Sequence, residues 1–204
     1  MLKRLFDITF SFFGLIFFLP VILISAFLIK IDSKGPVLYR PLRIGKDEKK
    51  FRVFKFRTMV ENAEKLGGPS TGFEDKRLTK IGKFLRRYKI DETPQFINVL
   101  RGEMSIVGPR PQVEEYTSKY TGEQKLILSI KPGLTDYASI EFMNLDKILG
   151  DENVDEKYRT KIEPRKNELR LKYAKEHSFW IDIKIIFRTL LRLAQLRKLW
   201  NTKD

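Results

Sequence analysis

The chain has 204 residues, with 40 Lys+Arg against 26 Asp+Glu, a net charge of +14, no cysteine and a single histidine, His177. Lack of cysteine excludes a disulfide scaffold, thiolate zinc sites and a cysteine nucleophile, and one histidine argues against a His-rich metal centre or Ser-His-Asp chemistry. At 42% hydrophobic and 32% charged, the composition is that of a folded chain of about one domain, and any chemistry must come from carboxylates, amines, hydroxyls or a hard cation.

Residues 5–29, LFDITFSFFGLIFFLPVILISAFLI, carry one charge, Asp7. As a helix the run reaches roughly 37 Å, longer than a hydrocarbon core of about 30 Å. It exceeds the apolar region of a signal peptide and no small-x-small cleavage site closes it, so the expectation is a membrane anchor over 1–32, with a catalytic domain over 33–204. Two topologies fit. Lys3 and Arg4 on one flank and Lys30, Lys34, Arg40 and Arg43 on the other both favour the cytoplasm, so a helix broken at Pro20 could re-enter the same face. An ordinary single span kinked at Pro20 satisfies the sequence as well.

After the turn at Asp32-Ser33-Lys34-Gly35-Pro36, residues 37–44 and 50–58 read as two strands of a small hairpin around Gly45-Lys46-Asp47-Glu48. Neither face of the second strand is purely polar. Residues 59–66 suggest a short helix, and Gly67 to Gly72 has the composition of a mobile loop. LTKIGKFLRRYKI (78–90) has helical spacing, and the next helix is expected to start with Asp91 and Glu92, hold Pro94 in its first turn and stop before Gly102. MSIVGPRPQ (104–112) is a short apolar stretch running into a stiff turn, and Lys131-Pro132-Gly133 marks another turn. Residues 153–176 read as a charged helical stretch interrupted at Pro164. The last element, 178–200, is a basic, Trp-bearing amphipathic helix suited either to a membrane interface or to a core-packed face.

Three features point to phosphate chemistry. Basic residues cluster in 40–57 and in 76–89, the latter without an acid, and such patches attract nucleic acid, anionic lipid or a diphosphate. They also suit a solvated face. Asp91-Glu92 follows the second cluster directly. The pair can be a helix cap, but a carboxylate can also attack phosphorus to give an acyl phosphate and needs no deprotonation at neutral pH. Arg110 stands on the rigid Gly108-Pro109-Arg110-Pro111 turn, which suits bidentate phosphate binding or is simply a turn. No GxxxxGK[ST] loop, GxGxxG fingerprint or HExxH motif is present.

In order along the chain stand KRLFDI (3–8), the Pro-containing apolar run, SKGPVLYR (33–40), FRVFKFRTM (51–59), the block from Asp75 to Gln112, KPGLT (131–135) and SFWIDIKIIFRT (178–189). They resemble the bacterial sugar transferase family, the monotopic polyprenyl-phosphate phosphoglycosyl transferases, in its small catalytic-core form. The resemblance implies transfer of sugar 1-phosphate from a UDP-sugar to polyprenol phosphate, giving polyprenyl diphosphate sugar and UMP. It maps the nucleophile onto Asp91, its metal-binding or acid/base partner onto Glu92, and basic phosphate contacts onto Lys55, Arg86 and Arg110. It further implies Mg2+ held at Asp91 and Glu92, membrane lipids as surroundings, the bacterial inner membrane with the domain on its cytoplasmic face, no nucleic-acid partner, and room for a homodimer. The fold expected is helix-rich α+β, with a re-entrant helix broken at Pro20, a small β-hairpin and interfacial amphipathic helices. The rival from another class is a membrane-anchored basic module for anionic lipid or nucleic acid. Three positions depart from the family's usual pattern: Leu19 before the proline, Thr93 after the acidic pair, and Asp136 to Phe142 after KPGLT, so the sugar stays open.

Overall fold

The computed structural model describes residues 1–67, 71–72, 75–150 and 152–201. The expected loop between Gly67 and Gly72 falls partly outside them, at residues 68–70. The fold is helix-rich α+β, with a long apolar N-terminal helix and small sheets.

Helix α1 (Leu2–Asp32) contains Pro20 within it and is long and apolar enough to cross a membrane. It does not stand away from the rest of the chain. One stripe at helical spacing meets the domain along its whole length: Arg4 and Asp7 near the start, Gly14 and Phe18 against Phe96, Ile22 and Ile29 beside Leu85, and Asp32 at the end. The other faces present Phe13, Phe17, Leu23, Ile24 and Phe27 outward.

The two expected strands are four short ones: β1 (Leu38–Tyr39), β2 (Leu42–Ile44), β3 (Lys50–Arg52) and β4 (Lys55–Phe56). Leu38 pairs with Phe56 and Tyr39 with Lys55, while Leu42, Arg43 and Ile44 pair with Arg52, Phe51 and Lys50. All the pairs share one register, so this is a single antiparallel hairpin. It is interrupted at Arg40-Pro41 because proline brings no N–H to the ladder. The Pro41 carbonyl still accepts from Val53 N at 3.1 Å. Asn98 holds the hairpin from behind. Its carbonyl accepts from Phe54 N at 2.8 Å, and its amide donates to Arg52 O at 2.9 Å and Glu103 Oε2 at 2.7 Å.

Within 59–66 the expected helix shrinks to a 3-10 turn, Ala63–Lys65. Helix α2 (Lys80–Arg87) is capped by Thr79, whose hydroxyl accepts from Gly82 N at 2.9 Å. Gly82 lies so close to strand-side backbone that a Cβ there would stand 1.9 Å from Thr58 O. The acidic pair does not open a regular helix as expected. It lies in a 3-10 turn, Ile90–Gln95, entered through Lys89 at φ 57 and continued by α3 (Phe96–Leu100). Pro94 belongs to that tighter turn, and Gly102, at φ +81, terminates α3 in the left-handed region as its position suggests.

Strand β5 (Ser105–Val107) runs parallel to β6 (Gly133–Thr135), with Ser105 opposite Gly133 and Val107 opposite Thr135. Between them lie α4 (Glu114–Thr117) and a 3-10 stretch, Gly122–Ser129. Then come α5 (Tyr137–Glu141), α6 (Leu145–Leu149), α7 (Val154–Lys157), a π-turn (Tyr158–Ile162), α8 (Glu163–Glu176) and α9 (Phe179–Asn201). Pro164 does not interrupt 153–176. It occupies the first turn of α8, where a missing N–H costs nothing. The core joins Phe51 and Val53 of the hairpin to Val99, Met104, Ile106 and Val107, closed by Tyr173 of α8 and Ile185 of α9. So α9 has a core-packed face, while Trp180, Phe187, Leu190 and Leu191 are exposed.

Candidate active site

Four of the residues singled out in the sequence meet at one place. Lys55 extends from β4 toward the 3-10 turn and puts its Nζ 2.7 Å from Asp91 Oδ2 and 3.6 Å from Glu92 Oε1. Arg110, on the stiff turn after β5, grips Glu92 with two parallel bonds, 2.7 Å to Oε1 and 3.0 Å to Oε2. A third bond, 2.9 Å to Leu134 O, ties the same guanidinium to β6. Arginine's planar fork is made for such pairing, which a lysine could meet only as a point charge.

The two carboxylates are placed differently. Asp91 is 1% exposed, and its Oδ1 has no hydrogen-bond partner. An isolated buried carboxylate is costly, and here Lys55 compensates the charge while leaving one oxygen without a partner. Glu92 is more open. Burial alone would raise its carboxyl, but Arg110, then Lys55 and Lys89, outweigh that and bring it down to about 2. It is a carboxylate at every physiological pH.

Arg86 is not brought into this cluster by its described bond. It sits on the last turn of α2, next to the acidic turn, and donates to Thr71 Oγ1 at 3.2 Å. Several other basic residues of the sequence clusters are structural. Arg57 is buried and donates to the carbonyls of Ser33 and Lys34, and the Arg40 guanidinium lies over the Phe54 ring at 4.4 Å, as does that of Arg101, from outside the clusters, at 4.8 Å.

The site faces the middle of α1. Phe96, directly after the acidic turn, touches Phe10 and Phe18 and packs on Gly14, whereas Ile90, at the turn's start, lies with Ile22, Ala26 and Ile29. Asp91 and Glu92 therefore lie at the level of Pro20. Polar anchors that the sequence reading passed over hold this arrangement. Asp7 Oδ1 accepts from Ser105 Oγ and Ile106 N, both at 3.0 Å, and Arg4 donates to the last carbonyls of α3, Val99 O at 2.6 Å and Leu100 O at 2.9 Å. Lys3 bonds to Asp182 of α9, which also accepts from Tyr173 at 2.6 Å. The signal for Asp7 was available, because a lone carboxylate in an apolar run needs a partner.

For a divalent cation, the donor set is two adjacent carboxylates. Among the described residues no group of three or more His, Cys, Asp and Glu side chains could form a protein cage. Mg2+ commonly takes only one or two carboxylates and completes its shell with water and substrate phosphate oxygens. Two adjacent carboxylates, the buried Asp91 and the more open Glu92, are a donor set of that kind.

The family model for bacterial sugar transferases matches residues 1–195. The chain belongs to that family. It is 41% identical, over 93% of its own length, to a UDP-glucose:undecaprenyl-phosphate glucose-1-phosphate transferase of Klebsiella pneumoniae. It is 34% identical, also over 93%, to a UDP-N-acetylgalactosamine-undecaprenyl-phosphate N-acetylgalactosaminephosphotransferase of Aeromonas hydrophila. The chain covers only 39% and 43% of those two proteins. By contrast it spans 87% of an uncharacterized sugar transferase of Bacillus subtilis, at 34% identity. Among bacterial sugar transferases, then, this chain matches both long members and a short one.

Proposed function

We propose that the protein transfers sugar 1-phosphate from a UDP-sugar to polyprenol phosphate, yielding polyprenyl diphosphate sugar and UMP, as the first membrane step of a glycoconjugate pathway. The observation that carries this is the buried Asp91 carboxylate, with Oδ2 held by Lys55 at 2.7 Å and Oδ1 left without a partner, in a chain of this family. Asp91 Oδ1 attacks the sugar-linked phosphorus, a P–O bond to the UMP half breaks, and UMP leaves with that electron pair. An acceptor phosphate oxygen then attacks the same phosphorus and the aspartyl bond breaks, returning the carboxylate. No proton has to leave the nucleophile, so the lack of a nearby histidine is no obstacle. Lys55 orients Asp91, while Arg110 keeps Glu92 ionised and presents its own charge to the diphosphate, with Arg86 on the neighbouring turn as a further phosphate contact. Asp91 and Glu92 would hold Mg2+, which when bound would neutralise charge on the diphosphate.

The same proposal places α1 as a re-entrant anchor, with residues 33–204 on the cytoplasmic face of the inner membrane. Support comes from both helix ends. Lys3, Arg4 and Asp7 are bonded to β5, α3 and α9, and Asp32 accepts from Ile81 N of α2 at 3.0 Å. A helix with both ends held by one domain keeps both on that domain's side of the bilayer. The exposed Trp180, Phe187, Leu190 and Leu191 of α9, flanked by Lys184, Arg188 and Arg192, suit the interface beside it.

The test is acceptor-free turnover. With Mg2+ and a panel of UDP-sugars but no lipid acceptor, the active donor should release about one UMP per site in a burst. Asp91→Asn should abolish that burst. UMP released only after acceptor is added would replace the covalent route with direct transfer, an active Asp91→Asn would remove Asp91 as the nucleophile, and no turnover of any UDP-sugar with polyanion binding retained in Asp91→Asn would return the chain to a basic binding module.

A further inference from the structure

We infer that the exposed aromatic edge of α2, Phe84 and Tyr88, with Arg87 beside it, is the landing site for the prenyl-phosphate end of the acceptor. This rests on the transferase reading above and adds to it the place where the lipid enters. Phe84 and Tyr88 are 50% and 40% exposed, and their rings pair at 4.8 Å between centroids. Arg87 lies over the Tyr88 ring at 5.8 Å. Two large aromatic side chains left in solvent on one short helix need an occupant, and a cation on the same edge selects an apolar ligand with an anionic head.

Position narrows the occupant further. At i, i+3, i+4 and i+7 spacing, Phe84 and Tyr88 flank Ile81 and the buried Leu85, which pack against Ile22, Ala26 and Ile29 of α1, so the aromatic edge stands next to the apolar helix. Exposed apolar side chains on the outer faces of α1, among them Leu23, Ile24, Phe27 and Ile31, give a prenyl chain a surface to follow along that helix. After Tyr88 the chain passes through Lys89 into the turn that carries Asp91. A prenyl chain laid along α1 and over Phe84 and Tyr88 therefore delivers its phosphate, past Arg87 and Lys89, toward the carboxylate that would hold the sugar phosphate. A bilayer lipid would find apolar surface there but has no reason to need that direction.

The experiment uses the full chain in detergent micelles and a photoactivatable farnesyl phosphate as probe. Labelling should map to the peptide containing Phe84 and Tyr88, and undecaprenyl phosphate should compete for it. Uncharged farnesol and phosphatidylglycerol should compete poorly. Phe84→Gln with Tyr88→Gln, both surface changes, should raise the KM for undecaprenyl phosphate at least ~10-fold through lost apolar contact, and leave the acceptor-free UMP burst unchanged. Labelling elsewhere with an unaltered acceptor KM would overturn the site while leaving the transferase reading intact. Equal competition by phosphatidylglycerol would also overturn it, making the edge a general membrane contact. Specific labelling at Phe84 and Tyr88 in a protein that turns over none of the UDP-sugars would instead leave the lipid site standing and remove the proposed function.

Discussion

Replacing Arg110 by methionine isolates the charge that holds Glu92. The Glu92 carboxyl is held at about 2 against an ordinary 4.5, and Arg110 is the strongest of the groups opposing its burial. At 1.36 kcal/mol per pKa unit, that difference is worth about 3 kcal/mol of folding stability at neutral pH. The sign follows from the lowered value: the contribution is present above the unfolded carboxyl's pKa and is lost as pH falls through about 2. In Arg110→Met the strongest of these charges is gone while Lys55 and Lys89 remain, so a stability gap on the order of that figure should be widest at pH 7 and shrink on acidification. A residue of about 1 kcal/mol should remain at low pH, from the Leu134 carbonyl left without its donor. Urea unfolding in micelles at pH 7, 4.5 and 2.5, followed by tryptophan fluorescence, measures this directly. A gap of the same size at all three pH values would show that Arg110 acts by packing and not by charge.

Gly82→Ala should lower the midpoint of thermal unfolding steeply or prevent folding, because its Cβ would have to occupy space 1.9 Å from the Thr58 carbonyl oxygen. Circular dichroism melts check this, and an unchanged midpoint would mean that α2 can lift away from Thr58 at little cost. Since the chain has no cysteine, Leu2→Cys and Ser33→Cys report topology without background. In intact cells neither should react with an impermeant external reagent, and labelling of Leu2→Cys from outside would establish a span.

The sequence exposed the chemistry more clearly than the shape. Asp91, Glu92 and Arg110 stand in recognisable local settings, an acidic pair after a basic run and an arginine between prolines, whereas Lys55, one lysine in a basic block, is marked only by the resemblance to the family. Their convergence could not be read, because it depends on β5 and β6 pairing in parallel across the 3-10 stretch and α4, a long-range contact with no local signature. The acidic pair reads as a helix start because Pro94 follows it at first-turn spacing and Gly102 marks the end. The reading missed Lys89, whose left-handed backbone tightens the entrance into a 3-10 turn. Likewise, the residue pattern marks both strands of the hairpin but not the gap at Pro41, and Asn98 gives no periodic sign of the two bonds by which it holds the hairpin to α3.

The polar residues of α1 alter what the membrane helix is for. A simple anchor would need only apolar side chains, and any sequence of sufficient length would serve. Here Arg4 supplies donors to Val99 and Leu100, the final carbonyls of the helix that continues the acidic turn. Asp7 satisfies the Ile106 N–H in the strand that leads to Arg110. About two turns further along α1, Gly14 admits the Phe96 ring, where a Cβ would come within 3.2 Å of it. Removal of α1 would thus take the α1 partners from Leu100 O and Ile106 N, on the two sides of the carboxylate cluster, in addition to exposing the apolar surface beneath it. The same apolar helix that is long enough to cross a membrane also fixes the positions of Asp91 and Arg110, and under the proposed function that is what would bring the carboxylate pair to a lipid-borne phosphate.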